Sequence, residues 1–437
     1  MHGRILAMVA AVVILAALTT NNPLLVRLGY ILIAVLAVAA AITWLSVRNV
    51  EIHRHTRSSR AEVGGLAEET FSVTNRSWLP KLWLEVFDGS ELPGHHASRV
   101  VSALAPGRTR SWSVRTMCRK RGVFTLGPLT LAGGDPLGMF QAERELPHTS
   151  SFIVYPRTVS LRGIDLPTGY LSGGQVIRRR AEFATTNVRG VRAYQPGDSF
   201  NRIHWPTTAR RARLYTKEFE LDPIADFWLL VDLDRAAHTG SEDEDLGHGR
   251  GGRDNGHNGH GQGAKDDGDH GPAMAWMDEG VPELERTTEE YAVTIAASLA
   301  RHFLAAGKSV GLIAHGQRRV VVQPDRGDRQ VVKILSHLAV LRAAGRAGLA
   351  QVLSAENHEF TRNTTLLVIT PTNTLRWIEG LRELRFRGVS SMVVLLDAPT
   401  FGAAGAVDGV TATLAAHGVP YRLVRCGDDL RAALGRG

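Results

Sequence analysis

The chain has 437 residues, which at roughly 100–200 per domain means about two or three domains, and 51 basic against 43 acidic residues leave a net charge of +8. With 22% charged and 44% hydrophobic residues, its composition is that of a folded globular protein and excludes a disordered one. Cys118 and Cys426 are too few and too far apart for a disulfide scaffold or a cysteine-built zinc site, and they imply no oxidising compartment. At the N-terminus, Ile5 to Leu18 is an unbroken apolar run, and Leu28 to Val47 is a second, free of charge. At 1.5 Å per residue the second run spans a hydrocarbon core of about 30 Å. Arg4 before the first run allows a signal peptide. No small-residue cleavage site is evident, however, and a longer apolar span comes at once. A helical hairpin turning at Asn21-Asn22-Pro23 is therefore expected. Arg48, Arg54, Arg57 and Arg60 come after the second run, whereas the connecting loop holds only Arg27. The positive-inside rule then gives a two-pass protein of the cell membrane with both termini in the cytoplasm.

Residues 50–165 read as β structure. Alternation in Phe71–Thr74, Trp83–Phe87 and Ser111–Arg115 marks strands, and Asn75-Arg-Ser, Asp88-Gly89, Pro106-Gly107 and Gly133-Gly134-Asp135-Pro136 mark turns. Short strands at this spacing predict a small antiparallel sandwich. No nucleophile or ligand cluster is evident there, so a structural or interaction role is expected.

The stretch 187–220 carries the strongest signal. It runs Asn-Val-Arg-Gly-Val-Arg-Ala-Tyr-Gln-Pro-Gly-Asp-Ser-Phe-Asn-Arg-Ile-His-Trp and ends in Leu-Tyr-Thr-Lys-Glu-Phe-Glu. Pro196-Gly197-Asp198 is a turn, and Asp198 is placed to cap the element after it. An arginine such as Arg192 near this aspartate predicts a buried, charge-assisted pair that fixes the loop. Trp205 beside His204 predicts a packed, structural histidine. Asp198, Ser199 and His204 have the residue types of a catalytic triad, but sequence adjacency does not bring Ser199 to His204. Both cysteines lack a local histidine and read as buried small residues. Between Arg178 and Lys217 lie nine Arg and one Lys, opposed by Glu182 and Asp198. Such a run can track nucleic acid, lean on anionic lipid, or pair with the domain's own carboxylates. The third is preferred, and no nucleic-acid motif is present.

From Asp226 the period changes. Strands are expected at Phe227–Val231, Val310–Ala314, Val320–Val322, Leu366–Thr370, Ser391–Leu396 and Tyr421–Val424. Helices are expected at Thr287–Ala306, Val331–Leu341 and Leu375–Phe386, with a short one around Leu430. This alternation predicts a mainly parallel sheet covered on both faces, with a crevice beyond the carboxyl ends of its strands. Gly240–Pro272 interrupts the pattern: 11 of its 33 residues are Gly and 8 are acidic, so it is expected to be disordered. Its histidines, His248, His257, His260 and His270, lack a preorganised frame for a metal.

Arg192, Tyr194, Gly197, Asp198, Arg202, Ile203, His204, Trp205, Ala209, Arg210, Lys217, Glu218, Phe219 and Glu220 together resemble bacterial proteins carrying the domain of unknown function 58. Arg119-Lys-Arg-Gly-Val-Phe-Thr-Leu-Gly-Pro128, Asp135-Pro-Leu-Gly-Met-Phe140, Val154-Tyr-Pro-Arg157 and the paired apolar runs resemble the same family. The resemblance implies a C-terminal domain of von Willebrand factor A type. It also implies partners: a MoxR-type AAA+ ATPase and a membrane protein with a transglutaminase-like domain. Von Willebrand A domains often hold Mg²⁺ through Asp-x-Ser-x-Ser, and the matching positions here are Asp232, Asp234 and Ala236, with Thr370-Pro371 where a later Asp belongs. Both serines are missing, so a degenerate site is expected, with no cofactor assigned.

The expected architecture is thus multi-domain. It has a transmembrane helical hairpin (1–48), a small antiparallel β-sandwich (49–165), a linker and motif region (166–225), and an α/β von Willebrand A-like, Rossmann-like domain (226–437) with a disordered insert at 240–280. The expected function is that of a cytoplasm-facing, membrane-anchored, non-enzymatic scaffold, working with the ATPase in assembly or maturation of an envelope-associated complex. Asp198, Arg202, His204, Trp205 and Arg210 are expected to form its interaction surface or an interdomain joint. A metal-dependent hydrolase built on His204 and Asp198, or on Asp232 and Asp234, is the alternative. A basic binder of nucleic acid or anionic lipid is the third.

Overall fold

A computed structural model describes residues 8–9, 11–13, 15–16, 19, 23–161, 163–164, 188–196, 198–219, 226–240, 283–362 and 364–435. The chain divides into two compact units, one made of residues 1–158, 242–285 and 335–341 and the other of 159–241, 286–334 and 342–437. Within the first apolar run every described residue is helical, and the rest of Ile5–Leu18 lies outside the described residues, as does the insert at 241–280. The second run is one helix, α1 (Pro23–Ser46), apolar around its whole circumference. At 24 residues it is about 36 Å long, enough to cross a bilayer.

Four residues beyond the end of α1 the chain enters β1 (Val50–Thr56), turning at Asn49, whose φ of 55° is one that Asn tolerates. Lys81, at the start of β4 (Lys81–Asp88), is buried and donates from Nζ to the carbonyls of Leu45 (2.5 Å) and Arg48 (3.0 Å). A cation there satisfies orphan acceptors and meets the negative end of the helix dipole. Burial pulls the Lys81 ammonium below its ordinary pKa. Lys81→Met leaves those acceptors unpaired and is expected to cost about 1–3 kcal/mol. Thermal unfolding of the full chain in nanodiscs checks this; an unchanged midpoint would contradict the capping role.

The β unit continues through β2 (Arg60–Glu62), β3 (Leu66–Asn75), β5 (Arg99–Leu104), β6 (Thr109–Met117), β7 (Gly122–Leu126), β8 (Leu129–Gly134), β9 (Gln141–Leu146) and β10 (Ser150–Tyr155). Alternating burial along β1, β3 and β6 puts Phe71, Val73 and Trp112 inside, with the Phe71 and Trp112 rings stacked 5.4 Å apart. There are three small sheets, β1-β3-β6, β5-β4-β8-β9 and β2-β10-β7. The expected all-antiparallel arrangement is corrected at one place: the three-residue β2 pairs parallel with β10. The turn expected at Gly133-Gly134 begins instead at Asp135, and both glycines are the last residues of β8. Gly133 lies against the end of α1, where a Cβ would sit 2.5 Å from Ser46 Oγ, so only glycine allows the approach.

The second unit contains β11 (Val188–Ala193), α2 (Trp205–Arg211), β12 (Tyr215–Phe219), β13 (Asp226–Val231), α3 (Thr288–Ala305), β14 (Ser309–His315) and β15 (Arg319–Asp325). After α4 (Asp328–Val340) come α5 (Leu349–Ala355), β16 (Thr365–Thr370), α6 (Arg376–Phe386), β17 (Ser390–Leu396), α7 (Asp408–Ala416), β18 (Tyr421–Val424) and α8 (Leu430–Leu434). The six-stranded sheet has the order β15-β14-β13-β16-β17-β18, parallel except for the β14–β15 hairpin. Its strands β13, β16 and β17 are apolar on both faces, as helices on both sides require. Around Trp228, Leu230, Val368, Val393 and Trp377 the sheet and its helices share one core. Residues 188–219, expected as a linker, form part of this unit.

Candidate functional site

β11 and β12 pair antiparallel, and the segment between them carries the motif. Arg192, near the end of β11, grips Asp198 with two parallel bonds, Nη1 to Oδ2 at 2.8 Å and Nη2 to Oδ1 at 2.7 Å. Asp198 Oδ2 also accepts from the Gln195 amide at 2.9 Å, which closes the turn. The Arg192 guanidinium first, and that amide next, hold the Asp198 carboxyl below its usual range. The expected Arg–Asp pair is therefore present, but at the surface: its side chains are 40% and 19% exposed. Gly197 and Glu220 lie outside the described residues. Lys217 and Glu218 stand in β12, opposite Val191 and Gly190.

The cap of α2 is His204, not Asp198. Its Nδ1 accepts from the Thr207 amide (3.3 Å) and lies 2.8 Å from Thr207 Oγ1. Ile203, not His204, is the residue packed inside, and the His204 amide donates to Tyr215 O at 2.8 Å. Among the described residues, Trp205 is 64% exposed and Phe200 70% exposed, and α2 has no buried residue. The ring of Tyr194 lies 5.8 Å from that of Phe200. Arg202 and Arg210 are exposed as well. Ser199 Oγ donates to Asn201 Oδ1 at 2.6 Å, so Ser199, His204 and Asp198 each serve a different local bond and do not form a relay. What the hairpin offers is a held, aromatic and basic surface.

At the carboxyl end of β13, Asp232 is buried. Its Oδ2 accepts from Thr370 Oγ1 at 2.6 Å and its Oδ1 from the Asp234 amide at 3.1 Å. Burial pushes its carboxyl above the usual range, against the pull of the Thr370 bond. Asp234 Oδ1 accepts from the Ala236 amide at 3.1 Å. A hard cation wants about six oxygens and ionised carboxylates. Here burial opposes ionisation of Asp232, and Ala236 supplies no side-chain oxygen, so this donor set falls short of what Mg²⁺ requires.

Two further groups depart from the sequence reading. Cys426 is partly exposed, whereas Cys118 is buried and its thiol is pushed up to about 11, which suits a packed core residue. In the β unit, where no cluster was expected, Arg54, Glu69, Asp88 and His95 converge. They sit on β1, β3, the end of β4 and the loop beyond it, so only strand pairing brings them together. Arg54 Nη2 lies 2.6 Å from Glu69 Oε2 and 3.2 Å from Asp88 Oδ2, and His95 Nε2 lies 3.2 and 2.9 Å from the same two oxygens, so the arginine and the histidine share the compensation of the two carboxylates.

An uncharacterized protein of Bacillus subtilis (strain 168), YeaD, is 40% identical over 62 residues, which are 14% of this chain and 15% of that protein. The chain thus matches well under two thirds of this relative's length. Among solved structures, a von Willebrand factor type A protein from Catenulispora acidiphila is 10% identical with a TM-score of 0.26, covering 50% of this chain and 41% of that one. The CARDB domain of the PF1109 protein from Pyrococcus furiosus is 14% identical with a TM-score of 0.17, covering 24% of this chain and 91% of that one. Residues 190–248, a stretch that includes the Arg192–Glu220 motif, match the family model described as "Protein of unknown function DUF58".

Proposed function

We propose that the protein is a membrane-anchored, non-enzymatic scaffold that faces the cytoplasm, passes the membrane twice, and offers the β11–β12 hairpin to a protein partner. The partner is a MoxR-type AAA+ ATPase, acting with a transglutaminase-like membrane protein in assembly or maturation of an envelope-associated complex. One observation carries this reading: Trp205 and Phe200 stand exposed on a loop that the Arg192–Asp198 pair holds in shape. Exposing two large aromatics to water has no benefit for the isolated fold. Tryptophan and arginine are the residue types that dominate binding energy at protein interfaces, and a loop fixed beforehand loses less entropy on docking. α1 supplies the tether.

In a pull-down of the ATPase by the full chain in nanodiscs, Trp205→Ala is expected to weaken binding by roughly thirtyfold, or about 2 kcal/mol. Val100→Ala, at an exposed apolar site in β5, should leave it unchanged. Equal affinity of the Trp205 variant and the parent chain would sink the proposal.

A further inference from the structure

The turn Asp135–Phe140 is chemically unusual for a surface loop. Leu137 at its tip is 65% exposed, and Pro136 beside it is exposed too. Every amide of residues 137–140 is satisfied by Asp135 alone. Oδ2 accepts from Leu137 (2.9 Å) and Met139 (3.3 Å), Oδ1 from Phe140 (2.6 Å), and the Asp135 carbonyl from Gly138 (3.0 Å). Pro136 has no amide hydrogen to satisfy. The loop therefore presents apolar side chains and no unpaired backbone donor. Water does not demand that economy; hydrocarbon does, because an unpaired amide there costs several kcal/mol.

Its position agrees. Pro136 and Leu137 face Ala34, Val35, Val38 and Ile42 of α1 across an apolar cleft of about 350 Å³. At 1.5 Å per residue, Ile42 and Ala34 lie about 6 and 18 Å from the end of the helix at Ser46. The helix exceeds a 30 Å hydrocarbon core by only a few ångströms at each end. Trp44, 54% exposed with the Arg48 guanidinium 3.7 Å above its ring, marks the interface at that end. The loop tip thus reaches past the level of Trp44, alongside the lipid-facing stretch of the helix.

We infer that the Asp135–Phe140 loop is inserted in the bilayer beside α1, and that the cleft between them holds one acyl chain of a membrane phospholipid. The inference rests on the membrane-anchor reading of α1. The cleft is continuous with the lipid-facing surface of the helix, its walls are apolar side chains apart from Asp135, whose carboxylate oxygens are taken up by the loop amides, and its volume falls within the ~300–1,000 Å³ usual for small-ligand sites.

The test uses the full chain with Cys426→Ser, reconstituted in phosphatidylglycerol–phosphatidylethanolamine vesicles. A spin label is placed at Leu137→Cys, with Val35→Cys and Arg108→Cys as references. Collision with oxygen against a water-soluble nickel chelate reports depth. The label at 137 is expected to match that at 35, oxygen-accessible and shielded from nickel, while the label at 108 is open to nickel. A lipid-embedded 35 with a nickel-exposed 137 would overturn the inference and leave the anchor standing; nickel exposure at both would remove the anchor itself. Shielding of 137 from both reagents would mean that protein covers the loop, which also overturns it. For the cleft, native mass spectrometry from nanodiscs should show one retained phospholipid per chain, lost in Val38→Trp, whose indole fills the space. No retained lipid in the parent, or retention in the filled variant, would refute the acyl-chain site.

Discussion

Arg54→Met is expected to destabilise the β unit by about 3–5 kcal/mol, the range for removing one partner from a buried ion pair. Glu69 and Asp88 are 1% and 2% exposed, and their compensation comes from two groups, Arg54 and His95. Arg54 bonds both oxygens of Glu69, both of Asp88, and Ser90 Oγ, with its guanidinium 5.2 Å from the centre of the Phe71 ring. A methionine fills most of that space and leaves two buried negative charges facing one histidine. Hydrogen exchange of the β3 amides in the full chain measures the effect. A loss under about 1 kcal/mol would mean that the carboxylates simply take up protons or water. The double variant Arg54→Met with Glu69→Gln should recover part of the loss.

The same network sets a pH window. At Glu69 and Asp88 burial opposes ionisation, but bonds to His95 with those to Arg54 and Ser90 win, and both carboxyls are held below their ordinary range. Their contribution is present above the unfolded carboxylate pKa of about 4 and fades as pH falls through the folded values. At His95 burial lowers the pKa, yet bonds to Asp88 and Glu69 outweigh it and the net shift is upward. That contribution is complete below the unfolded value of about 6.5 and fades as pH rises through the folded one. Stability of the β unit should therefore peak between about pH 4 and 6.5 and decline on the alkaline side. His95→Gln should flatten the alkaline limb; an unchanged limb would assign it to other groups.

In the α/β unit the largest single-site effect is expected at Gly345, where Gly345→Ala should cost about 3 kcal/mol or more. A Cβ there would run into the carbonyl oxygens of His315 and Leu233, both backbone atoms that cannot rotate away. Gly345 also bonds the chain on both sides of Asp234, its amide to Leu233 O (2.9 Å) and its carbonyl from the Arg235 amide (2.9 Å). Displacing it unpins the loop that keeps Asp232 in contact with Thr370. Denaturant midpoints of the full chain, compared with Gly409→Ala, where a Cβ would meet nothing, check the prediction. Similar midpoints for the two variants would contradict it.

The sequence was most informative where one periodicity governs a whole element. β13, β16 and β17 are apolar on both faces, so the runs Phe227–Val231, Leu366–Thr370 and Ser391–Leu396 declared themselves to within a residue. α5 and α7 did not, because helices of seven and nine residues rich in small side chains carry too few periodic large ones. The Arg192–Asp198 pair was legible because its partners are six residues apart and a turn lies between them. The state of Trp205 was not: an aromatic next to a histidine reads as packing, and only three-dimensional structure shows that the neighbouring Ile203 took the inside position. Nor was the Arg54–Glu69–Asp88–His95 cluster legible, since its members are scattered over 42 positions and meet only through strand register.

The junction at Lys81 has a mechanical meaning. An apolar helix adjusts its tilt when the bilayer around it thickens or thins. Most anchors feed into a slack tether that absorbs such a rotation. Here the end of the helix is clamped to β4 through Leu45 and Arg48, and β1 begins four residues beyond Ser46. With α1 in the bilayer, as proposed above, a change of tilt would swing the β unit as a lever, converting membrane thickness into angular displacement of whatever that unit carries.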